Sequence, residues 1–304
     1  MLDTLGKYKI LEPAGQGGLG DLYRARDTSL GRTVALRVIG AAVAADSARR
    51  EQLVRDAKLS ACLSHPNIAA VYEVGEADGQ LFLALEFVQG ETLGQAVGGR
   101  PMNPKRAVDC AAQLADALAD AHAAGMVHRH LGPDTVVITP KGNAKILDFG
   151  LPAWTSSPAT PPHTARRAYT APEQTSGHDV DHRADIYALG ALLVEMLTGK
   201  PPAARTHGSD GSSVLPSALR SSVPAELETI AGRMLAPSPE HRYESAAALA
   251  AELRAVAAIL DVRETTEPAP ATAAARPASL IGWAIVAVIV GAIGALVYLA
   301  TRVG

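Results

Sequence analysis

Three glycines near the start of the chain have the spacing of a loop that can hold phosphate groups. They are Gly15, Gly17 and Gly20, in the run GQGGLG. Because glycine has no side chain, the backbone of such a loop can approach phosphate oxygens closely, although the same residue type also serves ordinary turns. The run joins two predicted strands, which differs from the strand-to-helix context of a dinucleotide-binding loop.

A histidine pair and an aspartate in the middle of the chain could also carry chemistry. His128-Arg129-His130 is followed by Asp148-Phe149-Gly150. A histidine has an unperturbed pKa of about 6.5, so it can act as a general base near neutral pH. Asp148 on its own is compatible with a simple turn, and its neighbours decide how it is interpreted.

An ordered set of landmarks resembles the bacterial serine/threonine protein kinase family over residues 8 to about 255. This resemblance implies a bilobal α+β fold with ATP in the cleft and Mg²⁺ as the metal. It also implies that Asp148 is the metal-holding residue. The landmarks are the glycine run, VALR at 34–37, SHPNI at 64–68, His128-Arg129, Asp148–Gly150, APE at 171–173, Asp185 and Arg242.

The resemblance further implies which side chains would carry phosphoryl transfer, and five of these six positions are replaced here. Only Asp148 is retained, which leaves a weak Mg²⁺ site. The other five are degenerate. The phosphate-gripping lysine is Arg37, its helix partner glutamate is Asp56, the catalytic aspartate is His130, the phosphate-steadying lysine is Gly132, and the second metal-binding asparagine is Thr135.

These replacements predict a damaged catalytic apparatus. Removing a general base typically costs about 10²–10⁴-fold in rate. Arg37 keeps a positive charge, but its planar guanidinium is not interchangeable with an ammonium group. Since Asp is shorter and Arg longer than the usual pair, we expect a structural Arg37–Asp56 ion pair. His130 leaves open the alternative of a weakly active kinase.

The positions that the resemblance assigns to the adenine ring remain suitable, so ATP stays an expected ligand. Leu22, Ala35 and Val137 match the residues that sandwich the base. Glu86 and Val88 lie in the hinge that would bind it through backbone groups.

The positions that support the fold are also retained, by the same resemblance. Glu173 and Arg242 are expected to form a buried ion pair, and Asp185 is expected to anchor the catalytic loop. Ser60 stands where a large apolar residue is usual, which predicts loose packing between the lobes.

The elements that must position these residues follow from local patterns. Short apolar runs at 8–12, 22–25, 33–39, 70–75 and 81–87 predict an antiparallel sheet. Helices are predicted at 46–63, 107–124 and 185–197 from their apolar spacing. We therefore expect a kinase-like domain over 8–260, with an N-lobe at 8–88 and a C-lobe at 89–260.

The C-terminal part has a different composition. Residues 261–279 are rich in Pro, Ala and Thr and predict a flexible linker. Residues 280–300 are uncharged and almost wholly apolar, which predicts a transmembrane helix of about 20 residues. Because residues 1–10 have no apolar core, the kinase-like domain is expected to be cytoplasmic. The net charge of -3 gives no indication of a nucleic-acid partner.

Together these features predict a single-pass cell-membrane protein with a pseudokinase domain. Its expected role is that of a scaffold or allosteric partner in signalling. The expected partner is another protein, with an active kinase as one candidate. A stripe of small residues, Ala287, Gly291 and Ala295, leaves a homodimer through the span open.

Overall fold

The computed structural model of the protein describes residues 2–17, 19–151, 167–176, 179–202 and 224–266. An antiparallel sheet occupies the first third, with neighbours in the order β1-β2-β3-β4-β6-β5. The predicted strands are all present, most of them longer than expected. The five predicted strands are β2 (Tyr8–Gly17), β3 (Gly20–Asp27), β4 (Arg32–Ile39), β5 (Val71–Ala77) and β6 (Gln80–Glu86), and the short β1 (Thr4–Leu5) was not predicted.

Two apolar clusters cover the two faces of this sheet. Successive side chains of a strand point to opposite faces. In β6 the odd-numbered Leu81, Leu83 and Leu85 therefore belong to one cluster, while Phe82 and Ala84 belong to the other. The first cluster is completed by apolar residues of two helices, which fixes those helices against the sheet.

Two helices connect β4 to β5. α1 (Ala41–Ala44) is short, and α2 (Ser47–Ser60) carries the position assigned to the regulatory glutamate. Asp46 caps α2 by accepting a hydrogen bond from the Arg49 N–H at 3.1 Å. The helix predicted at 46–63 is thus confirmed, and it ends three residues earlier than expected, well before Pro66.

The C-lobe is mainly helical and contains one small three-stranded sheet. The sheet consists of β7 (Glu91–Thr92), β8 (Val136–Ile138) and β9 (Ala144–Ile146). The helices are α3 (Leu93–Val97), α4 (Pro104–Ala123), α5 (Pro172–Ser176), α6 (Arg183–Thr198), α7 (Ala225–Met234) and α8 (Ala246–Thr266). The central helix, α6, is buried along almost its whole length, as its apolar sequence predicted.

The chain divides into two compact units, Met1–Ile259 and Leu260–Gly304. The expected bilobal arrangement, with a sheet lobe followed by a helical lobe, is confirmed within the first unit. Across the described ranges, no helix is both long enough and apolar enough to cross a membrane. Residues 261–266, predicted as the start of the linker, form the end of α8. The rest of the predicted linker, 267–279, and the predicted span at 280–300 lie outside the described ranges.

Candidate nucleotide-binding and catalytic site

A cavity of about 190 Å³ lies between the two lobes, and we call it the interlobe cavity. Its walls are mostly apolar, as expected for a site that takes a flat heterocycle. Five of the residues predicted to contact a nucleotide line it: Leu22, Ala35, Arg37, Glu86 and Val88. Asp148, the predicted metal ligand, also lines it. The other lining residues are Ala14, Ala69, Val71, Leu85, Phe87, Leu147, Phe149 and Leu151.

Val137 is not among the residues that line this cavity. It lies in β8, is 6% exposed, and packs close to Gly90 at the edge of the small sheet. Leu147, the residue that follows β9, lines the cavity and was not predicted to do so.

The glycine run forms the turn between β2 and β3, where Gly15 pairs with Leu22 and Gly17 pairs with Gly20. The glycines differ in their surroundings. Gly20 has a φ of +133°, and a side chain there would overlap the Val38 carbonyl oxygen of β4. Gly15 faces open space, with no atom within 4 Å of the position that a Cβ would occupy. Gly20 is therefore required by the sheet itself, whatever the loop binds.

Leu19, at the tip of this turn, was not singled out from the sequence. It is 2% exposed and belongs to the apolar cluster that includes Leu53 of α2 and Leu151. Its carbonyl oxygen accepts a hydrogen bond from the Gly40 N–H at 2.9 Å. The tip of the glycine loop is thus anchored to the core of the N-lobe.

Arg37 and Asp148 form an ion pair on the wall of the interlobe cavity. The Nη2 atom of Arg37 lies 2.9 Å from Asp148 Oδ2 and 3.1 Å from Asp148 Oδ1. Their side chains are 12% and 24% exposed. Asp148 has a φ of +54°, a conformation that is costly for a residue other than glycine and is concentrated at functional sites.

This pair corrects the prediction that Arg37 would bind Asp56. Asp56 hydrogen-bonds with Gln52 within α2, and burial raises the pKa of its carboxyl group above the usual value. It lines a second cavity of about 320 Å³, whose other residues include Arg129 and Gly150. The carboxylate that Arg37 meets belongs to the segment after β9, because the long arginine side chain reaches across the cleft.

The loop at 128–135, which the kinase resemblance assigns to catalysis, is called the catalytic loop. It is anchored by Asp185 of α6, as the sequence predicted. Its carboxylate accepts hydrogen bonds from the backbone N–H groups of His128 and Arg129, at 2.8 and 2.7 Å, and lies 2.9 Å from Nε2 of His122. These contacts keep the pKa of Asp185 below its usual value, against burial, which alone would raise it.

His128 is fully buried in this loop and is neutral at physiological pH. Burial, together with the neighbouring His130, lowers the pKa of His128 to about 4. Its Nε2 lies 3.0 Å from the Leu147 carbonyl oxygen, and its Nδ1 lies 3.3 Å from the His130 backbone nitrogen. Both contacts are satisfied when Nε2 carries the proton, so the two hydrogen bonds select one tautomer.

His130, at the position of the catalytic aspartate, packs against this neutral ring. The ring centroids of His128 and His130 are 4.3 Å apart, with the planes tilted by 49°. An imidazole therefore stands where the kinase resemblance requires a carboxylate.

Gly132 and Thr135 close the same loop on itself. The Thr135 hydroxyl accepts a hydrogen bond from the Gly132 N–H at 2.9 Å and donates one to the Gly132 carbonyl at 3.1 Å. Thr135 is buried, and its own carbonyl accepts from the Leu147 N–H at 2.8 Å. The Thr135 hydroxyl, at the position where the family has a metal-binding asparagine, is therefore hydrogen-bonded within the loop.

Ser60 links α2 to the segment that contains Asp148. Its hydroxyl donates a hydrogen bond to the Phe149 carbonyl at 2.5 Å, and Ser60 is 3% exposed. A side chain on Gly150 would overlap this hydroxyl. The sequence predicted loose packing here, whereas the structure has a tight polar contact.

Two further ion pairs support the site. The predicted pair of Glu173 and Arg242 is present and buried, with contacts of 2.6 and 2.8 Å. Lys145 of β9 was not predicted to take part. Its Nζ lies 2.6 and 2.8 Å from the carboxylate oxygens of Glu86, which ties the C-lobe sheet to the hinge. In the sequence, the one feature that could have indicated this contact is a lysine between the apolar residues Ala144 and Ile146.

The comparisons with known proteins agree with this architecture. The model of the protein kinase domain family matches residues 8–253. The serine/threonine-protein kinase PknH of Mycobacterium bovis is 38% identical over 256 residues, covering 81% of this chain and 43% of that protein. PrkC of Bacillus subtilis is 34% identical over 267 residues, covering 82% of this chain and 40% of that protein. This chain therefore spans about two fifths of the length of these curated relatives.

Solved structures show the same relationship. The crystal structure of the PknI kinase domain from Mycobacterium tuberculosis superposes with a TM-score of 0.67 at 30% identity. The match covers 84% of this chain and 97% of the solved one.

Proposed function

Because this chain belongs to the protein kinase family, in its bacterial serine/threonine group, we propose that it is a pseudokinase. In this role it uses the kinase fold to bind a protein partner as a scaffold or allosteric regulator, without transferring phosphate. The family uses ATP and Mg²⁺ for phosphoryl transfer, so the proposal concerns which parts of that chemistry this chain retains.

The observation that carries the proposal is the state of the catalytic loop. The position of the general base holds His130, whose ring packs on the buried, neutral His128. The Thr135 hydroxyl makes both of its hydrogen bonds to Gly132 within the loop. Groups that would accept a proton or hold a metal are replaced by groups that hold the loop together.

The interlobe cavity supports a retained nucleotide site. Its apolar residues, among them Leu22, Ala35 and Leu85, suit a heterocyclic base, and the hinge backbone at Glu86–Val88 lies at its edge. We propose adenine nucleotide as the ligand, with binding itself serving to stabilise the arrangement of the two lobes.

Membrane attachment and the partner are also proposals. The apolar stretch at 280–300 supports a single-pass anchor, with the kinase-like domain on the cytoplasmic side. An active kinase is the candidate partner, since a kinase-like surface can contact a kinase without catalysis. A homodimer through the span is a second arrangement that the small-residue stripe supports.

A phosphotransfer assay tests the proposal. The purified full chain is incubated with radiolabelled ATP, with either Mg²⁺ or Mn²⁺, and with generic protein acceptors. Asp148→Ala serves as the background, since it removes the one retained catalytic side chain. We expect the wild type to give the same label incorporation as this variant.

Transfer by the wild type that Asp148→Ala abolishes would overturn the proposal. It would support the alternative of a weakly active kinase in which His130 takes the substrate proton. A rate that rises with pH through about 6.5 would then identify a histidine base.

A further inference from the structure

We propose that Arg37 takes the place of the divalent cation, so that this chain binds adenine nucleotide without metal. The inference rests on the proposed function in one respect: the interlobe cavity must accept a nucleotide. It goes beyond that function by stating which group balances the phosphate charge.

The first support is the geometry of the metal-holding carboxylate. One nitrogen of Arg37 lies within 3.1 Å of both Asp148 oxygens. The guanidinium cannot lose its proton in a protein, so this positive charge is permanent. A cation of the protein itself therefore contacts the carboxylate that the family uses to hold a metal ion.

The second support is that the residues at the two metal positions are poorly suited to bind a metal ion. Mg²⁺ requires near-octahedral oxygen coordination at about 2.0–2.1 Å and usually takes one or two carboxylates with the substrate phosphates. Thr135, at the second metal position, already makes two hydrogen bonds to Gly132. Both Asp148 oxygens are bonded to Arg37 and the Thr135 hydroxyl is bonded to Gly132, so these two positions do not suit Mg²⁺ as they are arranged here.

The third support is the unused donor capacity of Arg37. An arginine has five N–H donors, and the ion pair with Asp148 uses one nitrogen. The buried Nε atom of Arg37 has no hydrogen-bond partner among the described residues. Arg37 lines the interlobe cavity, so a phosphate oxygen bound there can accept a charge-assisted hydrogen bond from its guanidinium.

The ion pair also predicts an unusual role for Asp148. In the absence of metal, the Asp148 carboxylate repels phosphate and neutralises part of the positive charge of Arg37. Removing its negative charge should therefore strengthen ATP binding. An aspartate that binds nucleotide through a metal would have the opposite effect when neutralised.

The test is calorimetric titration of the purified full chain with adenosine and with ATP, each in EDTA and in excess Mg²⁺. We expect the Kd for ATP to differ by less than about threefold between the two conditions. Asp148→Asn should tighten ATP binding in EDTA by about tenfold, which is the scale of one charge-assisted hydrogen bond. Arg37→Met should weaken ATP binding without changing the Kd for adenosine.

Arg50→Met is the matched control. Arg50 forms an ion pair with Glu76 at 2.6 Å on the exposed surface of the same lobe, away from the interlobe cavity. We expect this variant to bind both ligands like the wild type.

Two outcomes overturn the inference while leaving the nucleotide site intact. One is a gain of tenfold or more in ATP affinity on adding Mg²⁺. The other is loss of ATP binding in Asp148→Asn with adenosine binding retained. If neither adenosine nor ATP binds under any condition, the nucleotide part of the proposed function fails, and this inference fails with it.

Discussion

His128 gives the clearest example of a single residue whose environment fixes its chemistry. It is 1% exposed, and its two ring nitrogens face the Leu147 carbonyl and the His130 N–H. Because burial lowers the pKa of His128 to about 4, the folded state holds the ring uncharged. In the unfolded chain the same ring titrates with a pKa near 6.5.

This difference predicts a loss of stability at mildly acidic pH. Below about pH 6.5 the unfolded chain binds a proton that folded His128 does not, so the free energy of unfolding falls as pH decreases towards 4. The full difference corresponds to about 3 kcal/mol. Urea denaturation at intervals from pH 7.5 to 4.5 measures the slope, and His128→Gln should reduce it because an amide does not titrate.

His241→Gln is the control for this experiment. His241 is exposed at the end of a 3₁₀ turn, Pro239–His241. Its replacement should leave the pH slope of the wild type unchanged. An equal slope in His128→Gln and wild type would contradict the neutral, buried state assigned to His128.

For single residues, the sequence predicted the contacts correctly where one partner was available. It was less successful where a side chain had several possible partners. Asp185 and the Glu173–Arg242 pair occupy the predicted positions because each partner comes from a buried helix or turn of the same lobe. The partner of Arg37 could not be predicted in this way. An arginine can reach either Asp56 or Asp148, and the choice depends on the distance across the cleft.

At the scale of elements, α2 is attached to the Asp148–Gly150 segment by a hydrogen bond instead of a large apolar side chain. Ser60 donates this bond from the last turn of α2 to the Phe149 carbonyl. The space is small because Gly150 lies directly against the Ser60 hydroxyl. The position of α2 therefore depends on a short polar contact.

Two substitutions at Ser60 distinguish tight packing from loose packing. Ser60→Ala leaves the Phe149 carbonyl without this donor and should cost about 1 kcal/mol in the free energy of unfolding. Ser60→Leu restores the usual apolar type but must enter a filled space, so it should cost about 1–3 kcal/mol. Denaturant unfolding measures both. A stabilising effect of leucine would support the loose packing that the sequence predicted.

Elements with a strong local signal were predictable. The predicted helix start at 46 agrees with the Asp46 cap of α2, and the short apolar runs correspond to strands of the sheet. Gly20 shows the limit of such reasoning. Its spacing indicated phosphate binding, yet the close approach of the Val38 carbonyl explains the glycine, and that contact exists only once β3 and β4 pair.

At the scale of the whole domain, several polar contacts connect the two lobes, and three of them involve side chains at or beside the interlobe cavity. Arg37 binds Asp148, Lys145 binds Glu86, and Ser60 binds the Phe149 carbonyl. Each joins the sheet lobe or α2 to the region around β9 and the segment that follows it. The kinase fold is thus kept, and two of its six catalytic positions, Arg37 and Asp148, contact each other across the cleft.

The central claim is that this arrangement no longer transfers phosphate, and one comparison tests it most directly. Radiolabel transfer is measured for the wild type, Asp148→Ala and His130→Asp under identical conditions with Mg²⁺. We predict equal background label for all three, because an aspartate at 130 restores the base but leaves Arg37 on Asp148 and Thr135 within its loop. Label in the wild type that exceeds the Asp148→Ala background would contradict the account.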